Sequence, residues 1–145
     1  MKKEINYFYN YAKEKNIKIK LFTDEEKKLN CKCIYNTKKC NIYLNTEIKN
    51  EIQEKCILAE EIGHFEVGIL PNILKIDNCN MLIRSINEFR AKKWAVKQLI
   101  PFDTFKTFLD TNKTKFDIAN ELDVTEEFID MACFIYEPLI IDGFN

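Results

Sequence analysis

The run Ala59-Glu60-Glu61-Ile62-Gly63-His64 holds two adjacent carboxylates and the chain's one histidine. Its surroundings are apolar, with Cys56-Ile57-Leu58-Ala59 before the acids and Ile62-Gly63 after them. Carboxylates in such surroundings cost free energy unless a cation or hydrogen-bond donors compensate them. A bound metal ion is the sharpest choice of cation. On a helix, residues four apart share a face, so Glu60 and His64 can reach one metal with Glu61 beside them. This is the frame of His-Glu-x-x-His, whose glutamate acts as general base on a metal-bound water. Here glutamate stands where the first histidine is expected. Gly63, bare of side chain, lets another backbone or a substrate approach the helix closely.

A third donor must come from elsewhere, and Glu88, in the run Asn87-Glu88-Phe89-Arg90-Ala91, is the best placed. Asp77 is the runner-up. Glutamate can ligate zinc through oxygen at about 2.0–2.2 Å. Two carboxylates and one imidazole would neutralise the ion, however, and weaken its pull on bound water. Such a set suits Zn²⁺ and also harder ions such as Mn²⁺. Plainer readings stand beside these. A lone histidine is more often structural, Glu88 can pair with Arg84 or Lys92 along its own helix, and Glu60 and Glu61 can form a solvated face.

The run Lys55 to His64 resembles the motif helix of the ImmA/IrrE family. The later run Glu88-Phe89-Arg90-Ala91-Lys92-Lys93-Trp94-Ala95-Val96-Lys97-Gln98-Leu99-Ile100-Pro101 is similar to that family's second signature, closing proline included. Ala119-Asn120-Glu121-Leu122-Asp123-Val124-Thr125 resembles a later helical segment, so the likeness spans about Leu44 to Tyr136. It implies a zincin-like metallo-endopeptidase of phages or mobile elements, with a helix-turn-helix repressor as usual substrate. It also implies His64 as zinc ligand, Glu61 as general base and Glu88 as third ligand. Glu60 is the departure from the family's pattern.

The elements that must position these residues are legible in outline. Tyr7, Phe8, Tyr11 and Ala12 share a helical face, predicting a helix from about Ile5 to Lys15. Ile17 to Leu21 alternates as a strand, and Cys31–Tyr35 with Cys40–Leu44 reads as a hairpin across Asn36 to Lys39. A small antiparallel sheet of about three strands is expected. Asn45 or Thr46 is expected to cap the motif helix, which runs to about Phe65 before Gly68 and Pro71. A loop to about Met81 precedes a helix over Ile83–Ile100, stopped by Pro101. Phe102, Phe105, Phe108 and Leu109 mark a short helix, and two more follow over Lys115–Leu122 and Glu126–Tyr136. The expected class is α+β and helix-rich, one domain over 1–145. Residues 1–46 form a helix plus sheet, 47–101 the motif and third-ligand helices, and 102–145 the C-terminal helices.

The 145 residues are 46% apolar and 31% charged, with three glycines and three prolines, a globular balance with few flexible linkers. A net charge of -1 offers no broad attraction to nucleic acid or anionic membrane. No signal peptide or membrane-length apolar run is visible, so a cytoplasmic location is expected. Six cysteines are then expected as reduced thiols, mostly small apolar fillers, with a Cys31/Cys33/Cys40 zinc set the weaker reading. Two other functions remain in view. One is a degenerate zincin that binds a repressor or toxin–antitoxin partner along a sheet edge. The other is a DNA-binding helix-turn-helix over Phe116–Tyr136, disfavoured by Glu126, Glu127 and Asp130. Tyr35 and Tyr43 are conceivable oxyanion donors.

Overall fold

The computed structural model describes residues 2–25, 33–36, 40–45, 48, 50–68 and 77–143, the side chains of 33–36, 77–84, 142 and 143 excepted. The helical spacing of the first aromatic residues produces α1 (Ile5–Glu14), which buries Phe8 and Ala12. Asn16 then takes a left-handed backbone, φ 60°, and turns the chain into β1 (Lys18–Leu21). Asparagine tolerates that conformation because its short polar side chain can bond locally.

β2 (Cys33–Asn36) and β3 (Asn41–Leu44) pair antiparallel as the expected hairpin, with Asn36 opposite Asn41. The sheet order is β1-β3-β2, and here the outcome differs from the all-antiparallel expectation. β1 runs parallel to β3, with Ile19 opposite Ile42. Alternating hydrophobicity marks a strand but not its direction. A tight hairpin link forces antiparallel neighbours, whereas the longer connection over residues 22–32 leaves β1 free to take β3's other edge. Ile42 and Leu44 enter the core, and Asn41 and Tyr43 face the other side, where Asn41 Nδ2 donates to Tyr43 Oη at 3.0 Å.

α2 (Glu51–Val67) starts later than the expected Asn45 or Thr46. Asn50 is its cap: Oδ1 accepts from Ile52 N at 2.8 Å and Gln53 N at 3.3 Å. Asn45 instead closes a turn through its carbonyl to Ile48 N at 3.2 Å. Glu51 and Glu54 in the first turn complement the helix dipole. From Leu58 to His64 every residue but Glu60 is buried, including Leu58, Ala59, Ile62 and Gly63. Burying Leu58 and Ile62 contributes roughly 1.5–3 kcal/mol each. Layers on several sides of α2 therefore enclose Glu61 and His64, while Glu60 stays partly exposed.

α3 (Asp77–Leu99) begins six residues earlier than the Ile83 expected. Its first turns lack apolar periodicity, while an acid at the opening position favours helix by charge. α3 buries Ala91, Ala95 and Val96, and Pro101 ends it. After α4 (Phe102–Lys106), Thr114 and Asp117 form a reciprocal capping box on α5 (Lys115–Leu122). Asp123 adopts the left-handed conformation, and α6 (Glu126–Gly143) follows. α6 passes the expected stop at Tyr136 and carries Pro138 within it, because half-buried Ile140 packs its last turns onto the core. Tyr136 Oη donates to the Ile100 carbonyl at 2.6 Å and so ties α6 to the end of α3.

Candidate metal centre

α2 and α3 make the most extensive helix pairing in the fold, and its register assembles the candidate site. Glu60 meets Lys92, Gly63 meets Ala91 and His64 meets Glu88, rising along α2 as they fall along α3. The helices thus run antiparallel. Glycine at 63 permits it, since a Cβ there would stand 2.5 Å from the Ala91 carbonyl oxygen. Arg90 adds a clamp at one end, its Nη2 donating to the Val67 carbonyl at 2.6 Å. That carbonyl ends α2, where a cation is favoured by the dipole.

His64 Nε2 lies 3.3 Å from Glu88 Oε2. His64 is 2% exposed and the Glu88 side chain 42%, so the pair reaches from the core to solvent. Burial pushes the His64 imidazole below its ordinary value, against the pull of Glu88. A neutral imidazole offers a ring lone pair, the form a metal needs. Glu61 is 7% exposed, its carboxyl within the protein beside this pair of helices.

Glu60 lies 3.9 Å from Lys92 Nζ, its side chain 21% exposed. Burial is the main cause that pushes its carboxyl up to about 7, with Glu88 and Glu127 adding to the rise and Lys92 opposing it. Among the described side chains, Glu60, Glu88 and Glu127 share this corner and Lys92 faces them.

The donor chemistry fits a divalent ion: one imidazole held toward its neutral form by burial, and the carboxyl of Glu60, pushed up chiefly by burial, near that of Glu88. Two donors, His64 and Glu88, converge as the side chains stand. Among the described residues no three His, Cys, Asp or Glu side chains are gathered as a metal-binding group. Glu60 rests on Lys92 and would have to turn from it to complete the set.

Of the residues singled out in the sequence, Glu60, Glu61, His64 and Glu88 thus fall on one helix pair. Asp77 opens α3 with its side chain outside the described residues, as are Cys31 and the side chains of Cys33 and Tyr35. Cys40 and Cys133 are exposed and Cys56 is buried, none of the three in a disulfide. Lys92, Arg90 and Glu127 are the residues that sequence reasoning missed as parts of this corner. Lys92 reads as a partner of Glu88 four residues away; only the helix packing hands it to Glu60. Glu127 carries no local signal at all.

α5, Asp123 and α6 do form a helix, a tight turn and a second helix, as the Phe116–Tyr136 reading expects. Glu126, Glu127 and Asp130 are exposed on the opening turns of α6, with Asp130 3.1 Å from Lys115. That surface would repel phosphates. No described helix is long and apolar enough to cross a membrane.

The model of a peptidase family, described as the IrrE N-terminal-like domain, matches residues 2–134. No curated protein and no solved structure matches the chain.

Proposed function

Because the chain belongs to the IrrE N-terminal-like (ImmA/IrrE) family of metallopeptidases, we propose that it is a metal-dependent endopeptidase. The observation that carries this reading is the meeting of His64 and Glu88 at 3.3 Å across two helices, with Glu61 buried one residue beyond Glu60. His64, Glu88 and a turned Glu60 would hold the ion, Zn²⁺ by the family's habit or Mn²⁺ by the hardness of the carboxylates. When bound, the ion supplies Lewis-acid polarisation of the scissile carbonyl.

Glu61 takes a proton from the attacking water and delivers it to the leaving amine. Its burial keeps competing water away and holds the carboxylate in place. His64, fixed by the packing around it, positions its ring nitrogen toward Glu88. Glu88, at the solvent edge, opens the site to a peptide. A protein is the substrate class, and a helix-turn-helix repressor of a phage or mobile element suits the family. A cytoplasmic setting agrees with such a target.

The pairing of Glu60 with Lys92 favours a second reading, a weakened zincin that binds its protein partner without cutting it. One experiment separates the two. Metal content of protein purified without chelator is measured, then repressor cleavage by unmodified protein and Glu61→Gln. Metal near one equivalent with cleavage lost in Glu61→Gln supports the peptidase. Less than about a tenth of an equivalent, unrestored by added Zn²⁺ or Mn²⁺, sinks it.

A further inference from the structure

The face of α3 that carries Glu88 and Lys92 continues into a groove against α6. A hollow of about 260 Å³ lies between Phe89, Lys92, Glu127, Met131 and Phe134. A second, of about 510 Å³, runs on past Lys93, Glu137, Pro138 and Ile141. Phe89, Phe134 and Ile135 line both, so the two adjoin as one open channel crossed by the Phe89–Phe134 pair. The Phe89 and Phe134 rings meet edge to face at 5.9 Å, yet are 41% and 68% exposed. Exposed apolar surface of this kind marks a place where something apolar docks.

Three features say what fits. The channel borders the Glu60 corner of the candidate metal centre, because Lys92, which lines it, faces Glu60, and Glu127, which also lines it, acts on the same carboxyl. Its walls are separated in charge, with Lys92 and Lys93 on α3 and Glu127, Asp130 and Glu137 on α6. Finally, Pro138 and Phe134 both line the channel, and Pro138 has no N–H to give the Phe134 carbonyl its usual helical bond, which leaves a main-chain acceptor on this helix. An apolar floor, opposed charges and a main-chain acceptor together describe a site for a peptide.

We propose that this channel receives an extended segment of the protein substrate. One or two bulky apolar side chains settle on the Phe89–Phe134 pair, and basic side chains turn toward the α6 wall. This inference rests on the peptidase reading and gives it a substrate preference. From Glu127 to Ile141 the helix rises about 21 Å, room for roughly six extended residues. Successive side chains of an extended peptide point to opposite sides, so apolar residues set on the floor leave the alternate basic ones at the rim, near the exposed Glu127, Asp130 and Glu137.

The test uses a fluorescein-labelled octapeptide alternating Phe or Leu with Lys, and a control with Ser at the apolar positions. Anisotropy reads binding to the full chain carrying Glu61→Gln, with and without Phe89→Ser and Phe134→Ser, both at exposed positions where folding is checked by circular dichroism. Binding is expected to weaken about tenfold or more in each Ser variant and for the Ser peptide. Equal binding by the variants and their parent overturns the channel, whatever happens to cleavage. Binding that needs Phe134, together with no cleavage by metal-loaded protein, keeps the channel and overturns the peptidase reading. Self-association abolished by Phe134→Ser, with no peptide bound, shows a second copy in the channel and overturns the proposal.

Discussion

Gly63 and Ala91 set the spacing of the helix pair that carries the candidate site: a Cβ on Gly63 would lie 2.5 Å from the Ala91 carbonyl oxygen. The obstacle is backbone, so it cannot swing aside as a side chain would. Next to Gly63 stands His64, and three residues before Ala91 stands Glu88. The closest approach of the helices and the meeting of the two donors are therefore one structural event.

Gly63→Ala is accordingly expected to force α2 and α3 apart. Overpacking of this kind costs about 1–3 kcal/mol. Urea unfolding checks the stability, and metal titration checks the donors. Unchanged stability and unchanged metal uptake in the alanine variant would show that the contact has no such role.

Glu60→His replaces a carboxylate by a second imidazole and removes the partner of Lys92. Zinc affinity is expected to rise at least about tenfold, since a borderline-soft ion gains a nitrogen donor and the His-Glu-x-x-His frame is restored. Competition against a chromophoric chelator measures it. Equal or weaker affinity would mean that position 60 does not reach the ion.

Arg90→Ala removes the guanidinium that bonds the Val67 carbonyl at 2.6 Å. A hydrogen bond to a charged group at a helix C-terminus is worth about 1.5–3 kcal/mol. Amide exchange is expected to quicken in the last turn of α2, around Phe65 to Val67, more than in α5. Uniform exchange across both helices would contradict a local clamp.

Tyr136 contributes to the alkaline pH dependence, as does Tyr11, which is also pushed up to about 12. Burial pushes the Tyr136 phenol up to about 12 from an ordinary 10. The folded state therefore holds the proton where the unfolded chain releases it. The stability that follows is complete below pH 10 and is lost progressively as pH rises toward about 12. Tyr136→Phe should lower stability near neutrality by about 1 kcal/mol, through the lost bond to Ile100, and flatten this alkaline slope. Thermal unfolding between pH 8 and pH 11.5 reads both, and an unflattened slope would assign it to other groups.

Much of the helical order was legible because the apolar residues recur at helical spacing and the stops are chemical. Tyr7, Phe8, Tyr11 and Ala12 share a helical face by their period, of which Phe8 and Ala12 are buried and Tyr7 is exposed, and Pro101 ended α3 where a ring without an N–H must. The start of α2 was not, since Asn45, Thr46 and Asn50 can all cap and only one is followed by a helix that packs. The end of α6 was missed for a different reason. Local chemistry argues against a helix through Pro138, and the burial of Ile140 against a distant core overrides it.

Which donors exist, and how those on one helix are spaced, follows from residue order alone. Glu60, Glu61 and His64 share their geometry with any helix of the same pitch, so four-residue spacing suffices to place them. The tertiary structure decided everything between elements. It brought Glu88 to His64, gave Lys92 to Glu60 rather than to Glu88, laid β1 parallel to β3, and set α6 beside α3 to open a channel at the site. Contacts between distant segments depend on the register in which helices and strands pack. That register follows from side-chain volumes such as the missing Cβ of Gly63, which local spacing cannot specify.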